Sequence, residues 1–389
     1  AKAALSAQLA KAKESFEAAA ARAANFAKEY GKEFYMRKQL GEQIQELTGN
    51  LRVICRLRPV DSSDASARVS VVALDETTVV VHGDSAQGRA PRRFELSQVY
   101  GGSADQAKIF GDLEPLVAQV LDGFNVCCIG YGAPGSGKSY TLRGSESDAG
   151  LLPRAMRSIF ERIDGGPEHL SHEVFLSALL LAEDTMKDLF AAEGSHPTEL
   201  SITNDPTYGS RVLGLRAVAV HTTSHAQSLL TEALHVPASV ESPHLFISLA
   251  VRSANSETGE SAVGKLTFAD LAGSRSAGAK QDGAADAPSL TALRQVVENL
   301  AKGGKRPGFE GFKLTELLQE ALAGNSKTIV IVTLSPQASA LENTATLTFA
   351  SSAANVSIKS PSKVKESLQT ALSKANAAMG ALAQHATGG

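Results

Sequence analysis

The most specific chemistry in this chain lies in eight consecutive residues. Gly132, Ala133, Pro134, Gly135, Ser136, Gly137, Lys138 and Ser139 satisfy the pattern G-x-x-x-x-G-K-[ST] in full. Glycines at that spacing let backbone N–H groups converge on phosphate oxygens. Lys138 brings a positive charge to the outer phosphates of a nucleoside triphosphate, and the Ser139 hydroxyl is a hard oxygen ligand for Mg²⁺. A helix starting there aims its N-terminus at the same anion. A second element is Asp270, Leu271, Ala272 and Gly273. A carboxylate at a strand end can hold the Mg²⁺ shell through water, and a glycine three residues on can offer its N–H to a terminal phosphate. D-x-x-G alone is a weak signal; joined to the loop, it makes nucleotide binding the default reading.

Such residues need rigid supports. An apolar run at 126–129 leads directly into the loop, which separates a phosphate cradle from a chance Gly-rich turn. Residues 51–58 alternate apolar and polar types and read as a strand. Further β-type runs at 79–81, 172–179, 245–251, 265–269 and 328–333 interleave with helical patterns at 107–121, 152–163, 224–233, 290–302 and 314–323. That alternation predicts an α/β, three-layer fold with a central, mostly buried sheet, occupying one domain over residues 49–357.

Composition fits this reading. The 389 residues are 43% apolar and 20% charged, enough to bury a large core. With 38 Lys plus Arg against 41 Asp plus Glu, the net charge of −3 argues against a dedicated nucleic-acid binder. Only 3 cysteines occur, which excludes a disulfide framework and fits a reducing compartment. Cys127 and Cys128 lie in the run that enters the loop and read as core residues, not a redox pair. No apolar stretch is long enough to cross a membrane, and no signal peptide is visible. The first residues are Ala1 and Lys2, without Met, which points to a piece of a longer protein. His221, His225 and His235 lack metal-ligand spacing, and Glu183 and Asp184 read as the solvated side of a strand-to-helix connection.

Residues 1–48 differ from the rest. They hold no Pro and abundant Ala, Lys, Glu and Gln. Steps of four and three from Leu5 reach Leu9, Ala12, Phe16, Ala19, Ala23, Phe26, Tyr30, Glu33, Arg37, Leu40, Ile44 and Leu47, all apolar except Glu33 and Arg37. This is coiled-coil spacing and predicts a helix roughly 70 Å long that joins two chains, as a homo- or heterodimer. The competing reading is an Ala-rich helix packed on its own domain. Gly31, Glu33 and Arg37 mark a weak point in the register. The tail, residues 358–389, has no aromatic residue; it reads as either disordered or, over 364–382, partly helical.

Longer stretches resemble a kinesin motor domain over residues 47–357. Arg56, Leu57, Arg58 and Pro59 resemble the R-x-R-P strand that lines the adenine. Phe94 to Gly101 resembles the F-x-F-D-x-V-F segment, and Leu121 to Thr141 is a specific match around the phosphate loop and Tyr140. So are Asp270 to Ser274, Lys313 to Leu318, Gly324 to Thr328 and Thr346 to Ala350. Leu47, Thr48, Gly49 and Asn50 before the first strand, with a helix ahead of them, resemble the C-terminal-motor class, whose neck enters from the N-terminal side and whose members usually move toward microtubule minus ends. The resemblance implies a P-loop NTPase head with a mixed sheet, ATP or ADP with Mg²⁺, a microtubule partner, and a place on the cytoskeleton in the cytoplasm.

The departures from the family pattern lie in the two switches. The family's first switch reads N-x-x-S-S-R-S-H; here residues 236–244 end Glu241, Ser242, Pro243, His244, so only His244 stays in place. The second switch reads D-L-A-G-S-E in the family, and here Arg275 replaces the acid. The family's arginine–glutamate salt bridge, which positions attacking water, is therefore absent in both halves. Hydrolysis depends on positioning and charge placement, so the rate should fall by orders of magnitude. Glu241 and Arg275 are either an inverted ion pair that rescues catalysis or two unrelated changes at an unused site. Lys302, Lys305, Arg306 and Lys313 keep positive charge where kinesins meet acidic tubulin. Three functions follow from the resemblance: a nucleotide-binding, microtubule-binding head with little ATPase, a working minus-end-directed motor, or a non-motile adaptor resembling the plant kinesins of actin-based chloroplast movement, with actin filaments as partner.

Overall fold

The computed structural model describes residues 11, 13–22, 25, 51–60, 68–83, 90–191, 199–205, 209–234, 242–274, 287–304, 306–357 and 365–366. The chain divides into two compact units, Ala1–Gly49 and Asn50–Gly389. In the first, the described residues are helical, and Phe16, on the predicted seam, is 73% exposed. The expected register break at Gly31, Glu33 and Arg37 lies outside the described residues.

The second unit runs β1 (Leu51–Leu57), β2 (Val71–Ala73), β3 (Thr78–Val81), β4 (Arg92–Glu95), β5 (Gln98–Tyr100), α1 (Gln106–Val120), β6 (Asn125–Gly132), α2 (Lys138–Leu142) and α3 (Leu151–Asp164). Then come β7 (Leu170–Ala182), β8 (Thr185–Asp188), β9 (Ser201–Asp205), β10 (Gly209–Leu213), β11 (Val218–Val220), α4 (Thr223–Ala233), β12 (His244–Asn255) and β13 (Ser261–Asp270). The last elements are α5 (Pro288–Ala301), α6 (Lys313–Ala323), β14 (Lys327–Leu334), α7 (Ala340–Ala354) and a two-residue β15 (Lys365–Glu366). β15 pairs antiparallel with the start of β13, so the backbone at Lys365–Glu366 is extended, within the stretch read as either disordered or partly helical.

The central sheet is mixed, in the order β11-β7-β12-β13-β6-β14-β1-β5. β13, β6, β14, β1 and β5 run parallel to their neighbours, whereas β7, β12 and β13 pair antiparallel. All eight residues of β6 and all eight of β14 are buried, as expected of parallel strands covered on both faces. Two apolar clusters fill those faces. One takes α5, α6 and α7; the other takes α1, α3 and α4. This is the predicted three-layer arrangement. Neighbouring strand residues point to opposite faces, so Cys127 packs in one cluster and Cys128 in the other. Both are free thiols, and burial pushes the Cys127 thiol up to about 12.

Glu183 and Asp184 are not on a strand-to-helix connection. They form the tip of the β7–β8 hairpin, with φ of 48° and 60°, the left-handed pair that a two-residue hairpin turn requires. Asp184 then accepts a 2.7 Å hydrogen bond from the Lys313 backbone N–H at the start of α6. The residue in the cap position there is Phe312, whose side chain carries no oxygen, so the hairpin supplies the cap.

On the same helix the buried Glu320 accepts from Asn125 Nδ2 at 2.6 Å and pairs with Lys265 Nζ at 2.8 Å, tying α6 to β6 and β13. Removing one partner of such a pair strands the other. Glu320→Leu should lower the urea unfolding free energy by about 2 to 3 kcal/mol, below the fully buried range because Lys265 keeps some water. A loss under about 0.5 kcal/mol would make the pair ornamental.

Candidate functional site

The site is built at the C-terminal ends of two adjacent parallel strands. Register sets Asp270, the last residue of β13, beside Gly130 in β6, two residues before the loop. Ligands of open α/β sheets gather at such strand ends. Gly137 turns the loop into α2 with φ 104°, a left-handed geometry that an L side chain rarely adopts.

Lys138 is nearly buried, at 8% exposed, and its Nζ donates to the carbonyls of Gly132 and Ala133 at 2.9 Å each. Burial lowers its pKa to about 8, against a smaller opposing pull from Asp270. A depressed lysine destabilises the empty head at neutral pH by about 3 kcal/mol, which polyphosphate charge would offset. Ser139 Oγ donates to Asp270 Oδ2 at 2.7 Å. The other carboxylate oxygen, Oδ1, is buried and, among the described residues, has no hydrogen-bond partner. A hydroxyl beside an unpartnered buried carboxylate oxygen is a hard-oxygen donor set, so Ser139 and Asp270 fit Mg²⁺. When held there by Ser139 and Asp270, such an ion would supply positive charge against the phosphates.

The strap after β13 hugs the loop. Ser274 N–H donates to Gly132 O at 2.9 Å. A Cβ on Gly273 would meet Pro134 Cγ at 2.6 Å, so only glycine fits between strap and loop.

The other expected binding residues divide. Arg58 donates to Gly135 O at 3.0 Å and, like Pro59, remains exposed; Tyr140 is 42% exposed. Arg56, expected to line the adenine, is instead buried. It donates to Gln106 Oε1 and Thr141 Oγ1 at 2.9 Å each and lies 5.1 Å beneath the Tyr140 ring, a strut joining β1 to α1 and α2. Ser136 also turns inward. Its Oγ contacts Ala133 O and Thr333 Oγ1, both at 2.7 Å, which leaves that side chain to shape the loop. Glu241 and Arg275 lie outside the described residues, as does Lys305. Lys302 and Arg306 are exposed in the turn between α5 and α6, with Glu298 and Glu310 exposed nearby, while Lys313 is half-buried.

Two residues outside the expected set join the site. Arg143, which ends α2, sits with Nε 3.3 Å from Asp270 Oδ2. His244 opens β12, and its Nδ1 accepts the Ala272 N–H at 3.1 Å while Nε2 meets Ser289 Oγ at 3.1 Å on α5. That geometry needs a neutral ring with its proton on Nε2. His244 thus ties the end of the first switch to the second switch and to α5. Nothing in local sequence betrays Arg143, because its partner Asp270 lies far along the chain, at the end of β13.

This fold and this loop define a nucleotide-handling α/β head, and the comparisons name its family. The kinesin motor domain profile matches residues 56–356. Kinesin-like protein KIN-14E of Arabidopsis thaliana is 31% identical over 353 residues, covering 86% of this chain and 28% of that protein. KIN-14I of Oryza sativa subsp. japonica is 31% identical over 333 residues, covering 81% of this chain and 26% of that protein. Kinesin-like protein klp-3 of Caenorhabditis elegans is 30% identical over 354 residues, covering 87% and 59% respectively. A solved structure described as a fast kinesin superposes with a TM-score of 0.73 at 26% identity, over 82% of this chain and 95% of that one. The C-terminal motor and motor homology domain of Kar3Vik1 gives 0.77 at 24% identity over 90% and 97%, a likeness of fold. The chain belongs to the kinesin motor family, and it spans between about a quarter and three fifths of these three relatives' length.

Burial lowers the His244 pKa from 6.5 to about 4. A folded pKa below the unfolded one means stability that is complete above about pH 6.5 and lost as pH falls toward 4. Between about pH 7.5 and about pH 5 the protein should lose about 2 kcal/mol of unfolding free energy from this ring. His244→Gln should flatten that slope; equal slopes in the two proteins would refute the neutral bridge.

Proposed function

We propose that this chain is the head of a kinesin that grips ADP or ATP with Mg²⁺, binds microtubules, and hydrolyses ATP slowly or not at all. One observation carries the nucleotide half: Lys138, Ser139 and Asp270 are assembled at two parallel strand ends, with a desolvated ammonium and an unpartnered carboxylate oxygen. The weak hydrolysis follows from the altered switches, where Ser242 and Pro243 precede His244 and Arg275 follows Ser274. Losing the charged pair that positions water leaves binding intact while removing rate. The KIN-14 relatives support a C-terminal-motor assignment, in which the helix of the first unit joins two heads; the 73% exposure of Phe16 supports a seam that a second helix covers. Work on the cytoskeleton follows from the same reading.

Calorimetry with ADP should give saturable binding that Lys138→Met abolishes, while the nucleotide-free Lys138→Met protein unfolds at an equal or higher denaturant concentration because a buried charge is gone. Microtubule-stimulated ATP turnover should stay within about tenfold of the Lys138→Met control. Turnover about a thousandfold above that control would establish an active motor and favour the Glu241–Arg275 inverted pair.

Filament contact is a separate claim. The exposed Lys302 and Arg306 support an acidic partner. Cosedimentation with microtubules should weaken steeply between about 50 and about 200 mM salt, with actin filaments left in the supernatant. Pelleting with actin but not with microtubules would transfer the protein to the adaptor reading.

A further inference from the structure

Arg143 brings a second fixed cation to the phosphate end of the site. Its Nε lies 3.3 Å from Asp270 Oδ2, the oxygen that also accepts from Ser139 Oγ at 2.7 Å. The Arg143 side chain is 37% exposed, while its Nε, on the Asp270 side, is buried. The backbone that carries this side chain is fixed on both sides. Arg143 N–H donates to Ser139 O at 2.7 Å, and its carbonyl accepts from Gly150 N–H at 3.1 Å. A Cβ on Gly150 would meet the Arg143 carbonyl carbon at 2.5 Å, so this turn is close-packed.

The charge balance has a consequence. Among the described residues, Lys138 and Arg143 face one carboxylate, Asp270, so this set of three is net positive before any divalent ion arrives. An incoming cation competes with the guanidinium for Asp270 and meets its repulsion. A nucleoside polyphosphate, by contrast, meets two cations already in position. We propose that Arg143 supplies part of the positive charge that Mg²⁺ would otherwise bring, so that this chain binds nucleoside diphosphate nearly as well without a divalent cation as with one. Arg143 is a positioning and charge-supplying residue in this account, and the inference rests on the nucleotide-binding reading above.

The test measures ADP affinity by calorimetry in EDTA and in Mg²⁺, for the parent, Arg143→Met and Arg143→Lys. The ratio of the two dissociation constants should be below about tenfold for the parent. It should rise by about tenfold in Arg143→Met, through weaker binding in EDTA, and stay near the parent value in Arg143→Lys. Equal ratios in the parent and Arg143→Met overturn the inference and leave nucleotide binding standing. No binding by the folded parent in either buffer removes both. If Arg143→Met fails to fold, Arg143→Gln, which keeps a polar side chain without the charge, decides by the same ratio: a rise of about tenfold supports the inference and a ratio equal to the parent's overturns it.

Discussion

The Asp270 carboxylate, at the end of β13, accepts a hydrogen bond from Ser139 and pairs with Arg143, both of which belong to α2 or its end. Because β13 and β6 are parallel neighbours in fixed register, this carboxylate cannot drift from the loop without breaking the sheet. The rest of the head serves that constraint. β6 is buried along its whole length so that the loop begins from a rigid point, and helices cover both faces. Two of the polar ties at the edges act in the same sense: Glu320 holds α6 to β6 and β13, and Arg56 holds β1 to α1 and α2.

The site carries stored electrostatic cost. Lys138 is desolvated, and among the described residues its hydrogen bonds go to two carbonyls of its own loop. Asp270 leaves one oxygen without a partner. Groups arranged at such expense are the mark of a binding site more than of a structural one, because a core of this size could have been closed with apolar side chains. The switches read differently. His244 links the first switch, the second switch and α5 through uncharged hydrogen bonds, so a mechanical connection persists where the family's charged pair is gone.

Much of the fold was legible because long elements carry a period. The predicted helices at 152–163, 224–233 and 314–323 match α3, α4 and α6 to within a residue at each end, and the apolar run at 328–333 is the interior of β14. The strands of three to five residues at β2, β4, β5 and β8 to β11 escaped, since so few residues hold too little pattern to separate from loop. α7 escaped as well, although Ser339 and Glu342 cap it, because its apolar residues lack a single stripe. β7 runs past the predicted 172–179 at both ends: Leu170 and Ser171 are half-buried and exposed, held by pairing with β12, while the buried Leu180 and Leu181 continue the same ladder.

From residue types and spacing alone come the phosphate loop, the D-x-x-G element, the α/β class and the kinesin resemblance, since each rests on neighbours within a few positions. Tertiary structure alone decided what the side chains do. It turned Arg56 and Ser136 inward, made Asp184 a helix cap across 129 residues of chain, and set Arg143 against Asp270. The physical reason is that a local pattern fixes which way a backbone runs and which face is apolar. The partner a charged or polar group meets depends instead on which strands lie side by side, and that register is set by the packing of the whole sheet.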